Sequence, residues 1–102
     1  MNNSLDDHAH ERLYEMLAKI DKASDMKIFL EDLCTINEVK QMAQRMQCAE
    51  LMLNGDTYNQ IMEKTDISSA TLSRVSRCLQ YGSGGYSKIL AAFTKKPEDI
   101  NK

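Results

Sequence analysis

The chain of 102 residues has no tryptophan, one proline and four glycines, and its three cysteines form no C-x-x-C pair. Each scarcity excludes something. The only proline is Pro97 and the first glycine is Gly55, so turns that would punctuate strands are scarce before residue 54. Cys34, Cys48 and Cys78 are odd in number and far apart. That argues against a disulfide framework and a zinc site and fits a reducing, cytoplasmic setting. No apolar run reaches 18 residues, so no membrane helix is expected. The first residues, Met-Asn-Asn-Ser-Leu-Asp-Asp-His, are polar and acidic, so no signal peptide is expected. Nothing pairs a nucleophile with a base, so neither an enzyme nor a cofactor is expected.

Charge is spread unevenly. The net charge is −2 and the sequence pI is near 5.6, which argues against a protein that coats nucleic acid by bulk charge. Residues 1 to 66 hold 7 basic and 13 acidic side chains, whereas residues 67 to 97 hold five basic ones (Arg74, Arg77, Lys88, Lys95, Lys96) and no acid. An acid-free stretch of that length marks where an anionic partner can approach.

The apolar spacing is helical. Leu13, Met16, Leu17 and Ile20 form the stripe of a first helix; a second starts at Ser24 and carries Met26, Phe29, Leu30 and Leu33. Thr35 with Glu38 reads as a capping box, in which each side chain satisfies the other residue's free amide. Behind it Val39, Met42, Met46, Ala49 and Leu53 mark a long amphipathic helix that Asn54 and Gly55 end. Thr57 caps a short fourth helix with Tyr58, Ile61 and Met62 as its apolar face; Ser68 or Ser69 caps a fifth that runs to about Leu79. Gly82-Ser83-Gly84-Gly85 reads as a helix stop and connector, and a last helix spans about Tyr86 to Phe93. Seven methionines in so short a chain suggest that a partner chain buries some of the apolar surface.

Residues 58 to 77 have the parts of a helix-turn-helix: a short helix, a turn with Ile67 pointing inward, and a second helix opened by a hydroxyl. On a helical wheel Leu72, Val75 and Leu79 fall on the inner side of that second helix, and Ala70, Ser73, Arg74 and Arg77 fall opposite. Small residues near its N-terminus admit close approach to a major groove, while arginines reach guanine edges or phosphates. The expected DNA-contacting set is Thr57, Gln60, Ser68, Ser69, Ala70, Thr71, Ser73, Arg74 and Arg77.

The segments from Leu33 to Arg45, Leu53 to Gly55 and Ile61 to Arg74 resemble the Trp-repressor superfamily. Asp32-Leu-Cys-Thr35, Ala43-Gln-Arg45, Ser69-Ala-Thr-Leu-Ser-Arg74-Val75 and above all Tyr81-Gly-Ser-Gly-Gly-Tyr86 resemble its YerC/YecD branch. The resemblance covers roughly residues 10 to 93. It implies an all-α fold of about six helices, an intertwined homodimer and a regulator that binds double-stranded DNA. It does not carry tryptophan as effector. Arg45 and Arg74 match the two arginines that sandwich the indole in tryptophan-binding members, and Thr35 and Thr71 match flanking threonines. The glycine after the second arginine is Val75 here, and the serine that meets the ligand's amino group is Cys78. Thr35, Arg45, Thr71 and Arg74 are therefore kept as an effector pocket for a ligand that the resemblance does not name.

These readings give a polar arm over 1–9, a helix-turn-helix domain over 10–93 and a polar tail over 94–102. His8 and His10 in the arm read as solvated, and Cys78 as a semi-buried structural thiol. The competing function is a protein–protein interaction module that keeps the helix-turn-helix shape without reading DNA.

Overall fold

A computed structural model describes the backbone of residues 4–93 and the side chains of residues 5–92. Those residues form six helices and no strand: α1 (Ser4–Lys19), α2 (Ala23–Leu33), α3 (Ile36–Leu53), α4 (Tyr58–Lys64), α5 (Ser69–Tyr81) and α6 (Gly85–Phe93). This is the expected all-α architecture. The chain divides within α3 into two compact units, Met1–Val39 and Lys40–Lys102.

In the N-terminal unit, α1 starts earlier than the apolar stripe suggests. Residues 4–9, read from sequence as arm, are helical, with Asp6 and Asp7 in the first turn, where acids suit the helix dipole. His8 and His10 are exposed on α1, and the His10 Nδ1–H donates to the Asp6 carbonyl at 2.7 Å. Ile20 falls just beyond the last helical residue. Helix α2 begins one residue before Ser24, after Lys22, which gives no side-chain cap. No described side chain of residues 5–39 is buried. Ile36 is 91% exposed and Leu33 51%, and Met26, Leu30, Cys34 and Val39 line an open apolar groove of about 640 Å³. A unit this open lacks a core of its own.

The capping box at the head of α3 forms as expected. The Thr35 amide donates to Glu38 Oε1 at 2.8 Å and the Glu38 amide to Thr35 Oγ1 at 3.1 Å. The Thr35 amide hydrogen bond to the carboxylate, aided by the Thr35 hydroxyl, favours the charged form and holds Glu38 below its ordinary value. At the far end of α3, Gly55 takes φ +96°, where a β-carbon is strained. The Gly55 amide then donates to Met52 O and the Asp56 amide to Leu51 O, both at 3.0 Å. This crossed pair satisfies carbonyls that the helix leaves free.

The core belongs to the C-terminal unit and consists of Cys48, Ala49, Ile61, Ile67, Leu72, Val75 and Leu90, with Leu51, Met52, Leu79 and Tyr86 packed against it. Ile61, Leu72 and Val75 are fully buried, each contributing on the order of 2 kcal/mol of hydrophobic stabilisation. The buried Cys48 thiol has its pKa pushed up by desolvation. Three sequence expectations need correction. Tyr58 and Met62 do not join the packed face of α4; they are 42% and 49% exposed, and Ile61 is the one buried residue of that helix. Cys78 is exposed rather than semi-buried, because α5 turns Val75 and Leu79 inward and leaves position 78 outside. Helix α5 runs two residues past Leu79 and stops at Gly82, where any β-carbon would lie 2.4 Å from the Cys78 carbonyl oxygen. The tail read over 94–102 lies outside the described residues.

Candidate nucleic-acid interface

The helix-turn-helix lies wholly within the C-terminal unit. Thr57 caps α4 through a second reciprocal box: the Gln60 amide donates to Thr57 Oγ1 at 3.2 Å and the Thr57 amide to Gln60 Oε1 at 2.8 Å. Lys64, at the other end of this seven-residue helix, reaches back to Asp56 at 2.6 Å. The connection to α5 turns inward at Ile67, which is 5% exposed. Ser68 then opens α5 and resolves the choice between Ser68 and Ser69: its Oγ accepts the Thr71 amide at 3.2 Å and donates to Thr71 Oγ1 at 3.0 Å.

Helix α5 is strongly two-sided. Leu72 and Val75 are fully buried and Leu79 is half-buried; Ser69, Ala70, Ser73, Arg74 and Arg77 are all exposed. The nine expected DNA-contacting residues thus divide. Five present free outward side chains on α5. Thr57, Gln60 and Ser68 are exposed but spend hydrogen bonds on caps, and Thr71 is half-buried beside Ser68. No acid lies in the first turn of α5, so the partial positive charge of its N-terminus is not cancelled by a side chain of the helix. From Ile67 to Ala92 the charged side chains are Arg74, Arg77 and Lys88, all basic and all exposed.

Behind this face lies a cleft of about 390 Å³ lined by Gln41, Gln44 and Arg45 of α3 and by Ser68, Thr71 and Arg74 of the helix-turn-helix. Three of the four residues kept as an effector pocket therefore meet there. Thr35 belongs to the N-terminal unit, and its hydroxyl caps α3. The cleft's lining holds two guanidinium groups and no carboxylate. Sequence reasoning missed Gln41 and Gln44, although their spacing from Arg45 put all three on one side of α3. Val75 faces the core, not this cleft. Cys78 lines a separate apolar cleft with Met42, Met46 and the Gly82–Gly85 connector.

A family model for the Trp repressor protein matches residues 8–94. The uncharacterised protein YerC of Bacillus subtilis (strain 168) is 39% identical over 80 residues, 78% of this chain and 77% of YerC. A Staphylococcus aureus protein provisionally described as a Trp repressor has a crystal structure that superposes with a TM-score of 0.83 at 34% identity, covering 87% of this chain and 89% of that one. A TrpR-like protein from Eubacterium eligens superposes with a TM-score of 0.81 at 37% identity, covering 93% and 100% of the two chains. The family model spans most of the chain, including its helix-turn-helix and the Tyr81–Tyr86 connector: the chain belongs to the Trp repressor family.

Proposed function

We propose that this protein is a cytoplasmic, sequence-specific DNA-binding regulator, a transcriptional repressor that acts as a homodimer through α4 and α5. One observation carries the reading. Helix α5 turns its apolar stripe inward, with Leu72 and Val75 fully buried, while exposing a small and basic side with no acid, the chemistry that suits a helix entering a major groove. The face is modest in charge, so affinity rests on a few phosphate contacts and should fall with salt accordingly. Genomic DNA captured by the purified protein at moderate salt tests this. Recovery of a recurrent duplex with salt-sensitive affinity is expected. If no duplex is retained, the protein is an interaction module instead.

The homodimer rests on the N-terminal unit. With no buried side chain among residues 5–39 and an apolar groove left open, that unit needs a second chain to complete it.

A second reading concerns regulation. The polar cleft that joins Arg45, Thr71 and Arg74 suits a small anionic effector. Tryptophan does not suit this cleft: the lining is amide, hydroxyl and guanidinium rather than an apolar slot for an indole.

A further inference from the structure

The connection between α4 and α5 is tied by the side chain of Thr65. The Thr65 amide donates to the Ile61 carbonyl at 2.9 Å, which ends α4. Its hydroxyl donates to the same carbonyl at 2.8 Å and also accepts the Ile67 amide at 3.2 Å. Ile61 and Ile67 are both core residues. One half-buried hydroxyl therefore joins the last turn of α4 to the point where the chain re-enters the core. Without it, the amide of a residue whose side chain is sealed in the core loses its partner, and water replaces it poorly. Ser68, which caps α5, is the next residue in the chain. The span over which α5 takes its direction from α4 is thus bounded on one side by Thr65 and on the other by the Ser68 cap.

We infer that Thr65 is a positioning residue for DNA recognition, whose hydroxyl fixes the pose of α5 against α4 and so acts through Ser69, Ala70 and Ser73 without touching DNA. The inference rests on the DNA-binding reading above. A purely structural role would lower stability alone; a positioning role lowers discrimination between sequences, because base contacts need the helix placed closely while phosphate contacts tolerate a looser pose.

The test uses the full chain and two probes: a duplex selected by the wild type from a random-sequence pool, and poly(dA-dT). Thr65→Val keeps the side-chain shape and removes the hydroxyl. The Ile67 amide, followed by NMR hydrogen exchange, should exchange about tenfold faster, and affinity for the selected duplex should fall about five- to tenfold, the scale of one lost hydrogen bond. Affinity for poly(dA-dT) should stay within about twofold. Thr65→Ser restores both readings to wild type. Thr65→Ala is read the same way should Thr65→Val not fold. Equal losses on both duplexes, or no loss on either, overturn the inference. Unchanged Ile67 exchange in Thr65→Val overturns the lock even where DNA binding is real. A wild type that selects no duplex instead overturns the DNA reading, and the recognition role of Thr65 with it.

Discussion

Ser68 and Thr71 are bonded twice. The Ser68 Oγ accepts the Thr71 amide at 3.2 Å and donates its own proton to Thr71 Oγ1 at 3.0 Å. The same two residues line the polar cleft that reaches Arg45, so the start of α5 and the wall of the cleft are one structure. Ser68→Ala removes both bonds. A stability loss of about 1 kcal/mol is expected by thermal or urea denaturation, while Ser68→Asp, which keeps the cap, should be near neutral for stability and should weaken DNA binding through its charge.

Under the proposed DNA-binding role, Ala70 and Arg77 would separate base reading from phosphate attraction. Both are exposed, so neither substitution should disturb the fold. Ala70→Glu places a carboxylate near the head of α5, where it suits the helix dipole but opposes DNA. Unchanged melting with loss of duplex binding is expected in a filter-binding or anisotropy titration. Arg77→Ala should weaken binding to all sequences alike and reduce the slope of log K against log salt by about one.

Val75 bears on the effector. L-tryptophan should give no binding heat with the wild type in calorimetry; micromolar binding would contradict the effector reading. Val75 is fully buried, so Val75→Gly should cost at least about 2 kcal/mol through lost packing and the poor helix propensity of glycine. It is not a clean way to open a tryptophan slot.

The open N-terminal unit makes oligomeric state measurable. Sedimentation at micromolar concentration should give a dimer. Ile36→Glu, at a residue 91% exposed in the chain alone, should shift it toward monomer with little effect on the isolated subunit's core. A dimer also sets the half-sites of a bound duplex about 10 bp apart, or a multiple of that.

Two groups give pH dependence of opposite sign. Glu38 is held below its ordinary 4.5 by the Thr35 hydrogen bonds. Its contribution is present above the unfolded value and fades as pH falls through the folded one. Glu38→Gln, which can keep the cap, should flatten the acid limb of stability against pH. Cys48 is raised from its ordinary 9.0 by burial. Its contribution is intact below that value and is lost as pH rises, because the unfolded thiol ionises first. Cys48→Ala should flatten the alkaline limb.

Local chemistry made much of this fold readable. The boxes at Thr35/Glu38 and the stop at Gly55 need only neighbours in sequence, and both appear as expected. The wheel sorted α5 correctly because its inner stripe is long enough to have a period. The start of α1 was not readable, since Leu5 to His10 carry acids suited to a first turn but no apolar stripe. The exposure of Met62 and Cys78 was not readable either, because it depends on which side of a helix the rest of the unit covers. Of the candidate site, the outward orientation of the α5 residues was legible. Gln41 and Gln44 were missed because polar residues on a long helix look like solvent cover until another element packs beside them. Thr65 was missed because its value lies in backbone groups that no sequence pattern displays.

Gly82 has a bearing on re-engineering. With Ser68 capping one end and a backbone oxygen 2.4 Å from any β-carbon at the other, α5 is a rod cut to length: thirteen residues, or about 20 Å. Such a rod admits no insertion, and its inner stripe admits little change. Under the proposed DNA-binding role, Ser69, Ala70, Ser73, Arg74 and Arg77 form a compact library of five exposed sites on a scaffold whose frame need not be touched.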